Sequence, residues 1–242
     1  MGNFQRLAIE AGIYCVFSVC YRERASMVQN TSETTEFDVL DIEGLESATA
    51  RTDPFPYFYM ERSANPKYVQ RLIADFPQIS KGGSFNIDEM PKSDLTHRFV
   101  SQFDNERVRR ILGDKLDVDL EGRPMMTTLR GYSRAKDGSI HTDSKSKLVT
   151  VLIYMNQDWE PATGRLRILR GSTDMEDYAD EFLPGASSLV AFKVTDNCWH
   201  GYPSFEGKRQ SIQINFLASE SARTRMGFFH GISSKLKKLY PN

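Results

Sequence analysis

His141, Thr142 and Asp143 put an imidazole and a carboxylate at positions i and i+2. On an extended strand side chains alternate between faces, so His141 and Asp143 project to one side while Thr142 points away. A third arm is available downstream in His200, one of only four histidines in the chain. Two imidazoles and one carboxylate on one face of an octahedron leave three positions open, which suits an Fe(II) ion that must hold an organic chelator and O2 together. The same ligands also accept Zn2+. A His-x-Asp tripeptide recurs by chance, and a surface turn pair with a separate core histidine is the plain alternative.

The residues around the later histidine strengthen the metal reading. Residues 200–217 run HGYPSFEGKRQSIQINFL. Pro203 to Gly207 supplies a turn, from which the His200 strand is expected to fold back onto one beginning at Arg209. On that returning strand Arg209, Ser211, Gln213 and Asn215 share one face, and Gln210, Ile212, Ile214 and Phe216 the other. The second face belongs against a core. The first directs a guanidinium and a hydroxyl into the space beside the metal, where arginine can clamp a carboxylate with two parallel hydrogen bonds. In the stretch 148–155 both faces are mostly apolar, so that strand is expected to be buried on each side. Tyr154 brings a hydroxyl into it that needs a partner.

These residues need a β-rich scaffold, and the chain has one. After Gly122 short strand-like runs alternate with turn residues: 125–132, 139–143, 148–155, 165–170, 187–194, 198–202 and 209–217. Strands this short and closely spaced predict a sandwich or barrel rather than a parallel sheet with crossover helices. Upstream, Asp53 to Tyr57 reads as an extended entry. Asn65-Pro66 then starts a helix with Val69, Leu72, Ile73 and Phe76 on one stripe. A second helix is expected from Asp104, with Val108, Ile111, Leu112 and Leu116 facing inward. A final helix is expected over 222–239.

With these elements in place, the chain resembles the prolyl 4-hydroxylase-like branch of the Fe(II)/2-oxoglutarate oxygenases. The likeness runs from about Tyr132 to Phe216, with a looser part back to Asp53. It rests on Tyr132, Gly138 and His141-Thr142-Asp143, then Leu152-Ile153-Tyr154-Met155-Asn156 with Trp159. Gly164 to Ile168, Pro184-Gly185 before Leu189 to Phe192, and His200 with Gly207-x-Arg209 follow in order. The resemblance implies a mainly β protein with flanking α-helices and a double-stranded β-helix (jelly-roll) core. It implies iron on His141, Asp143 and His200. Arg209 would pair with the distal carboxylate of 2-oxoglutarate, Tyr154 would contact the same group, and Tyr132 would form a pocket wall; Ser211 joins them only through the strand alternation that sets it beside Arg209. The chain departs from the family pattern at Arg165, where a small or acidic residue is usual near the pocket mouth.

The activity implied is hydroxylation of a C–H bond in a peptide side chain or a small metabolite. It uses Fe(II), 2-oxoglutarate and O2, with ascorbate as an optional reductant, and releases succinate and CO2. With Asp143 in the carboxylate position no ligand site is left for halide, so hydroxylation is favoured over halogenation. The competing readings are a non-catalytic jelly-roll module that binds a ligand or metal, and a zinc-dependent hydrolase or isomerase. Two charged runs bear on substrate. Asp174, Glu176, Asp177, Asp180 and Glu181 read as a solvated acidic loop. The cluster Arg130, Arg134, Lys136, Lys145 and Lys147 flanks the metal motif and suits an anionic partner.

Composition sets the outer bounds. The 242 residues are 40% hydrophobic and 26% charged, ordinary for a globular protein, with 31 Lys and Arg against 32 Asp and Glu. A net charge of −1 gives no general basic excess of the kind nucleic acid attracts. Three cysteines at unpaired spacing (Cys15, Cys20, Cys198) do not make a disulfide framework, so a reducing, cytoplasmic setting is expected. The apolar stretch 7–20 is interrupted by Glu10 and is short for a bilayer span, so no membrane association is expected. Residues 1–51 are expected to be a leader, polar and flexible in its later part, ahead of a single domain over 52–242.

Overall fold

The computed structural model describes residues 37–225. The apolar stretch 7–20 lies outside these, as does most of the helix expected over 222–239, of which only the start, within the helical run at 220–225, is described. No helix among the described residues is long and apolar enough to cross a membrane.

The compact unit begins at Val39, and residues 39–51 lie within it. Helix α1 (Ile42–Ser47) is capped by Asp41, whose side chain accepts from the Gly44 amide at 2.9 Å. That bond satisfies one of the orphan donors of the first turn. Leu45 is its single buried residue, and one apolar anchor in an acidic stretch gives no periodic signal. Strand β1 (Tyr57–Met60) follows, then a one-turn 3-10 segment at Pro66–Tyr68 that leads into α2 (Val69–Asp75). On α2 the expected stripe narrows, with Leu72 and Phe76 buried and Val69 and Ile73 half-buried.

Helix α3 (Asp94–Ser101) was not expected. Its sequence is mostly polar, and the Ser93 hydroxyl that could have capped it turns to Asp75 instead. Asp75 also accepts from the Thr96 amide at 2.7 Å. Helix α4 (Glu106–Leu116) runs close to expectation, starting at an Asn105 cap that accepts from the Arg107 amide at 2.8 Å and buries Val108, Leu112 and Leu116.

The rest of the fold is antiparallel sheet. β2 (Phe85–Asn86), β3 (Met125–Ser133), β4 (Lys147–Tyr154), β7 (Leu189–Lys193) and β9 (Gly207–Leu217) join β1 in the order β1-β7-β4-β9-β3-β2. A smaller sheet orders β6 (Tyr178–Phe182), β5 (Leu166–Leu169) and β8 (His200–Gly201). One apolar cluster joins the two: Tyr57, Tyr154, Val190 and Phe192 from the large sheet meet Leu166, Ile168 and Phe182 from the small one. The opposite face of the large sheet holds Val149, Val151, Ile153, Ile212, Ile214 and Phe216, all fully buried. The Arg109 guanidinium of α4 lies 5.0 Å from the Phe216 ring. A strand covered on both faces must be apolar in both parities, as β4 is. The architecture is a jelly-roll of two sheets with flanking helices.

Two strand expectations change. Residues 139–143 form no strand, and His141 makes an isolated bridge instead. The acidic run read as a solvated loop contributes β6, the edge strand of the small sheet. Asp180 there accepts from Arg51 and Tyr57, and Glu181 from Arg167 at 2.7 Å.

Candidate metal centre and co-substrate pocket

The turn at 203–207 does not make a hairpin. β8 belongs to the small sheet, where it pairs with β5, whereas β9 runs between β3 and β4 of the large one. The chain therefore crosses from one sheet to the other between His200 and Arg209, and the two side chains approach one cavity from different walls. Mutual pairing of the two strands would instead have laid them side by side on one sheet.

His141 and His200 are bridged through the backbone: each amide donates to the other's carbonyl, at 3.1 and 3.0 Å. Residues exchanging both bonds face each other directly with side chains on one side, and the two rings lie 4.3 Å apart. Each Nδ1 contacts a carbonyl oxygen at 2.8 Å, Ser139 for His141 and Cys198 for His200. A carbonyl can only accept, so both Nδ1 atoms carry the proton and both Nε2 lone pairs are free for a metal. Asp143 completes the group, and one donor atom from each residue lies within 4.8 Å of the others.

Asp143 is held from the large sheet. Lys147 donates to its Oδ1 at 2.8 Å and Thr150 to its Oδ2. Burial by itself would raise this carboxyl, but the Lys147 ammonium, His200 and these two hydrogen bonds outweigh it and hold the group below the ordinary carboxylate range. Each oxygen retains a second lone pair for a cation. His200 is pushed down to about 4, chiefly by burial and next by the neighbouring His141. It is therefore neutral at pH 7, the form that ligates metals.

That shift has a measurable consequence for stability. An unfolded histidine titrates near 6.5. Between there and about 4 the unfolded chain binds a proton that folded His200 refuses, so stability falls as pH falls through that window and levels off below it. A window of that width corresponds to about 3 kcal/mol. Urea unfolding of chelator-treated protein from pH 7 to pH 4 should show the decline, and His200→Leu should flatten it. Equal slopes in both proteins would remove His200 as its origin.

The far end of the cavity is built around Arg209, which is buried. Its Nε donates to the Gly164 carbonyl at 3.0 Å, and Nη2 reaches the Tyr154 hydroxyl at 3.3 Å. The guanidinium carbon sits 4.0 Å from the Tyr202 ring centroid. Two glycines make this possible. Gly138 has φ +85°, and a Cβ there would come within 2.4 Å of the Tyr202 ring. Gly164 has φ +80°, and its Cβ would meet Trp159 at 2.7 Å. A side chain at Gly138 would displace the Tyr202 ring that stacks on Arg209, and one at Gly164 would strike Trp159 beside the carbonyl that Arg209 bonds. Burial raises the Tyr154 hydroxyl above its ordinary range, so it stays protonated as a donor.

The structure thus brings His141, Asp143, His200, Tyr154, Arg209 and Ser211 to one cavity of about 180 Å3. Tyr132 is not in its lining. A register shift in the β3–β9 ladder between Arg130 and Tyr132 interrupts the alternation that turns Thr128 and Arg130 inward. Sequence reasoning missed Tyr202 and Thr150 as site residues. Thr150 shares the strand parity of Tyr154, but its bond to Asp143 needs the third dimension. Arg165, the departure from the family pattern, pairs with Glu181 at 3.5 Å and does not line the cavity.

The donor set fits Fe(II): two imidazoles whose Nδ1 atoms are held by carbonyls, one ionised carboxylate and a polar cavity for further ligands. No protein-family model and no curated protein sequence matches the chain. Likeness is found among solved structures. A prolyl-4-hydroxylase from Pseudomonas putida aligns with a TM-score of 0.50 at 16% identity, covering 66% of this chain and 85% of that one. The viral collagen prolyl hydroxylase from Paramecium Bursaria Chlorella virus-1 aligns with a TM-score of 0.50 at 14% identity, covering 69% and 98%. At such identities the likeness is one of fold, and the chain has the jelly-roll fold of these prolyl hydroxylases.

Proposed function

We propose that the protein is an Fe(II)- and 2-oxoglutarate-dependent dioxygenase that hydroxylates a C–H bond of a peptide side chain, as a prolyl hydroxylase does, or of a small metabolite. The observation that supports this most is the pairing of two half-sites in one cavity. Three metal-competent side chains stand on one wall, and a buried guanidinium with no carboxylate partner among the described residues stands on the other. Fe(II) with 2-oxoglutarate and O2 supplies oxidation of an unactivated C–H bond, with succinate and CO2 as co-products.

The chain's own residues do the rest. His141 and His200 present Nε2 because their Nδ1 protons are committed to backbone carbonyls. Thr150 and Lys147 orient Asp143. Arg209 and the Tyr154 hydroxyl receive the distal carboxylate, and the confined walls keep water from competing for it. Anaerobic addition of 2-oxoglutarate to the Fe(II)-loaded protein should produce a weak visible charge-transfer band, and air should then yield succinate. Absence of the band together with no measurable 2-oxoglutarate binding would sink the proposal.

A further inference from the structure

The lining of the same cavity holds more positive charge than the co-substrate needs. It contains three cations, Arg130, Lys147 and Arg209, against one carboxylate, Asp143. Lys147 is committed to Asp143. Neither guanidinium is within ion-pair distance of a carboxylate among the described residues. Asp137, the acid whose charge Arg130 does act on, is already held by Arg134 at 2.9 Å, and Lys145 pairs with the exposed Asp196 at 2.7 Å. The basic cluster of the sequence thus divides: Arg134 and Lys145 are paired at the surface side, while Arg130 and Lys147 turn inward.

Arg130 is also pre-aimed. Its Nε donates to the Ser84 hydroxyl at 2.8 Å, and Ser84 lines the cavity too. That bond orients the guanidinium plane and leaves both terminal nitrogens for a two-pronged acceptor. In the sheet, Arg130 faces Ser211 across β3–β9, and Ser211 faces Tyr154 across β9–β4. Arg130 is therefore two strands from Tyr154, roughly 10 Å at ordinary strand spacing. One distal carboxylate engages the Arg209–Tyr154 end, and a second unpaired guanidinium in a partly desolvated cavity calls for a second anion.

Resting on the reading of this cavity as a 2-oxoglutarate site, we infer that the substrate carries a carboxylate and that Arg130 is the residue that pairs with it. About 180 Å3 is below the roughly 300–1,000 Å3 of pockets for drug-sized ligands, so the part that enters is compact. A free amino-acid carboxylate and an acidic side chain of a peptide share this chemistry.

Calorimetric titration of the full chain, loaded anaerobically with Fe(II) and saturating 2-oxoglutarate, separates these sources. The probes are N-acetyl-L-proline, N-acetyl-L-leucine and N-acetyl-L-glutamate, each beside its neutral amide, and two short peptides differing only by Glu or Gln. At least one acid should bind tenfold or more tightly than its neutral partner. Discrimination within the amino-acid pairs identifies a free acid, and discrimination only within the peptide pair identifies an acidic peptide; either supports the assignment. Arg130→Gln should erase the preference while weakening 2-oxoglutarate binding at least tenfold less than Arg209→Ala does, and Arg130→Lys should keep part of it. If Arg130→Gln does not fold, the wild-type comparison and Arg130→Lys decide.

No acid preference in any pair, in a wild-type protein that does bind 2-oxoglutarate, overturns this inference alone. So does an Arg130→Gln loss of 2-oxoglutarate affinity within tenfold of that of Arg209→Ala, which would make Arg130 part of the co-substrate anchor. Wild-type protein that binds no 2-oxoglutarate overturns both readings.

Discussion

His141→Ala should lose iron binding and succinate formation together while its urea midpoint stays close to that of the parent chain. Among the three candidate ligands His141 is the exposed one, so its truncation removes a donor without opening a core cavity. The other two are less clean. Asp143→Ala leaves the Lys147 ammonium, 9% exposed, without its counter-charge, and breaking a buried pair costs about 3–5 kcal/mol. His200 packs 4.7 Å from the Phe192 ring in the buried cluster. Removing an outer-shell partner of a metal ligand typically costs about 10–100-fold in affinity, and removing a ligand itself should exceed that. Equilibrium dialysis against Fe(II) under nitrogen, with urea unfolding in parallel, makes the measurement. Parent-like iron binding in His141→Ala would remove this residue from the centre.

Arg209→Ala should weaken 2-oxoglutarate binding by roughly a hundredfold to a few thousandfold, the equivalent of about 3–5 kcal/mol for a buried pair that loses one partner. The side chain is 6% exposed and meets only neutral groups, the Gly164 carbonyl and the Tyr154 hydroxyl. An incoming carboxylate is therefore the first that Arg209 meets within ion-pair distance among the described residues. Tyr154→Phe removes one hydrogen bond to a charged group and should cost less, about 1.5–3 kcal/mol. Arg209→Lys keeps the charge and loses the fork, so it should fall between alanine and the parent chain. Iron affinity should hardly move. Anaerobic titration with 2-oxoglutarate, followed by the charge-transfer band, reads all three variants. An Arg209→Ala curve superimposable on the parent would mean the anchor lies elsewhere.

The parts legible in the sequence were those with strong periodicity or several coincident signals. The two-sided apolar character of β4 and the two faces of β9 were visible because alternate residues sort cleanly by chemistry, and both faces lie where expected. Helix α3 and strand β6 were not visible, since each is short and polar and is held by long-range bonds, to Asp75 and from Arg51 and Tyr57. The pairing of β8 was misjudged for a similar reason. A turn between two extended runs predicts a hairpin locally, and only the competition among all strands assigns β8 to β5 and β9 to β3 and β4. At the site, Arg130 and Lys147 were grouped with neighbours of like charge. One dimension of sequence does not separate an arginine turned into a cavity from one paired at its rim.

The arrangement of strand lengths bears on how the molecule avoids its own kind. In sheet order the outermost strands among the described residues are β1, β2, β6 and β8, and single bridges from Arg51 and His141 already occupy part of the outer sides of β1 and β8. β2 and β8 are two residues long and β1 four, too short to template another chain. β6 is longer at five residues, but Asp180 and Glu181 put charge along it and tie it inward through arginines. Short or charged edges are how β proteins resist edge-to-edge aggregation. The strands long enough to recruit a stranger, β3, β4 and β9, are all interior to the sheet.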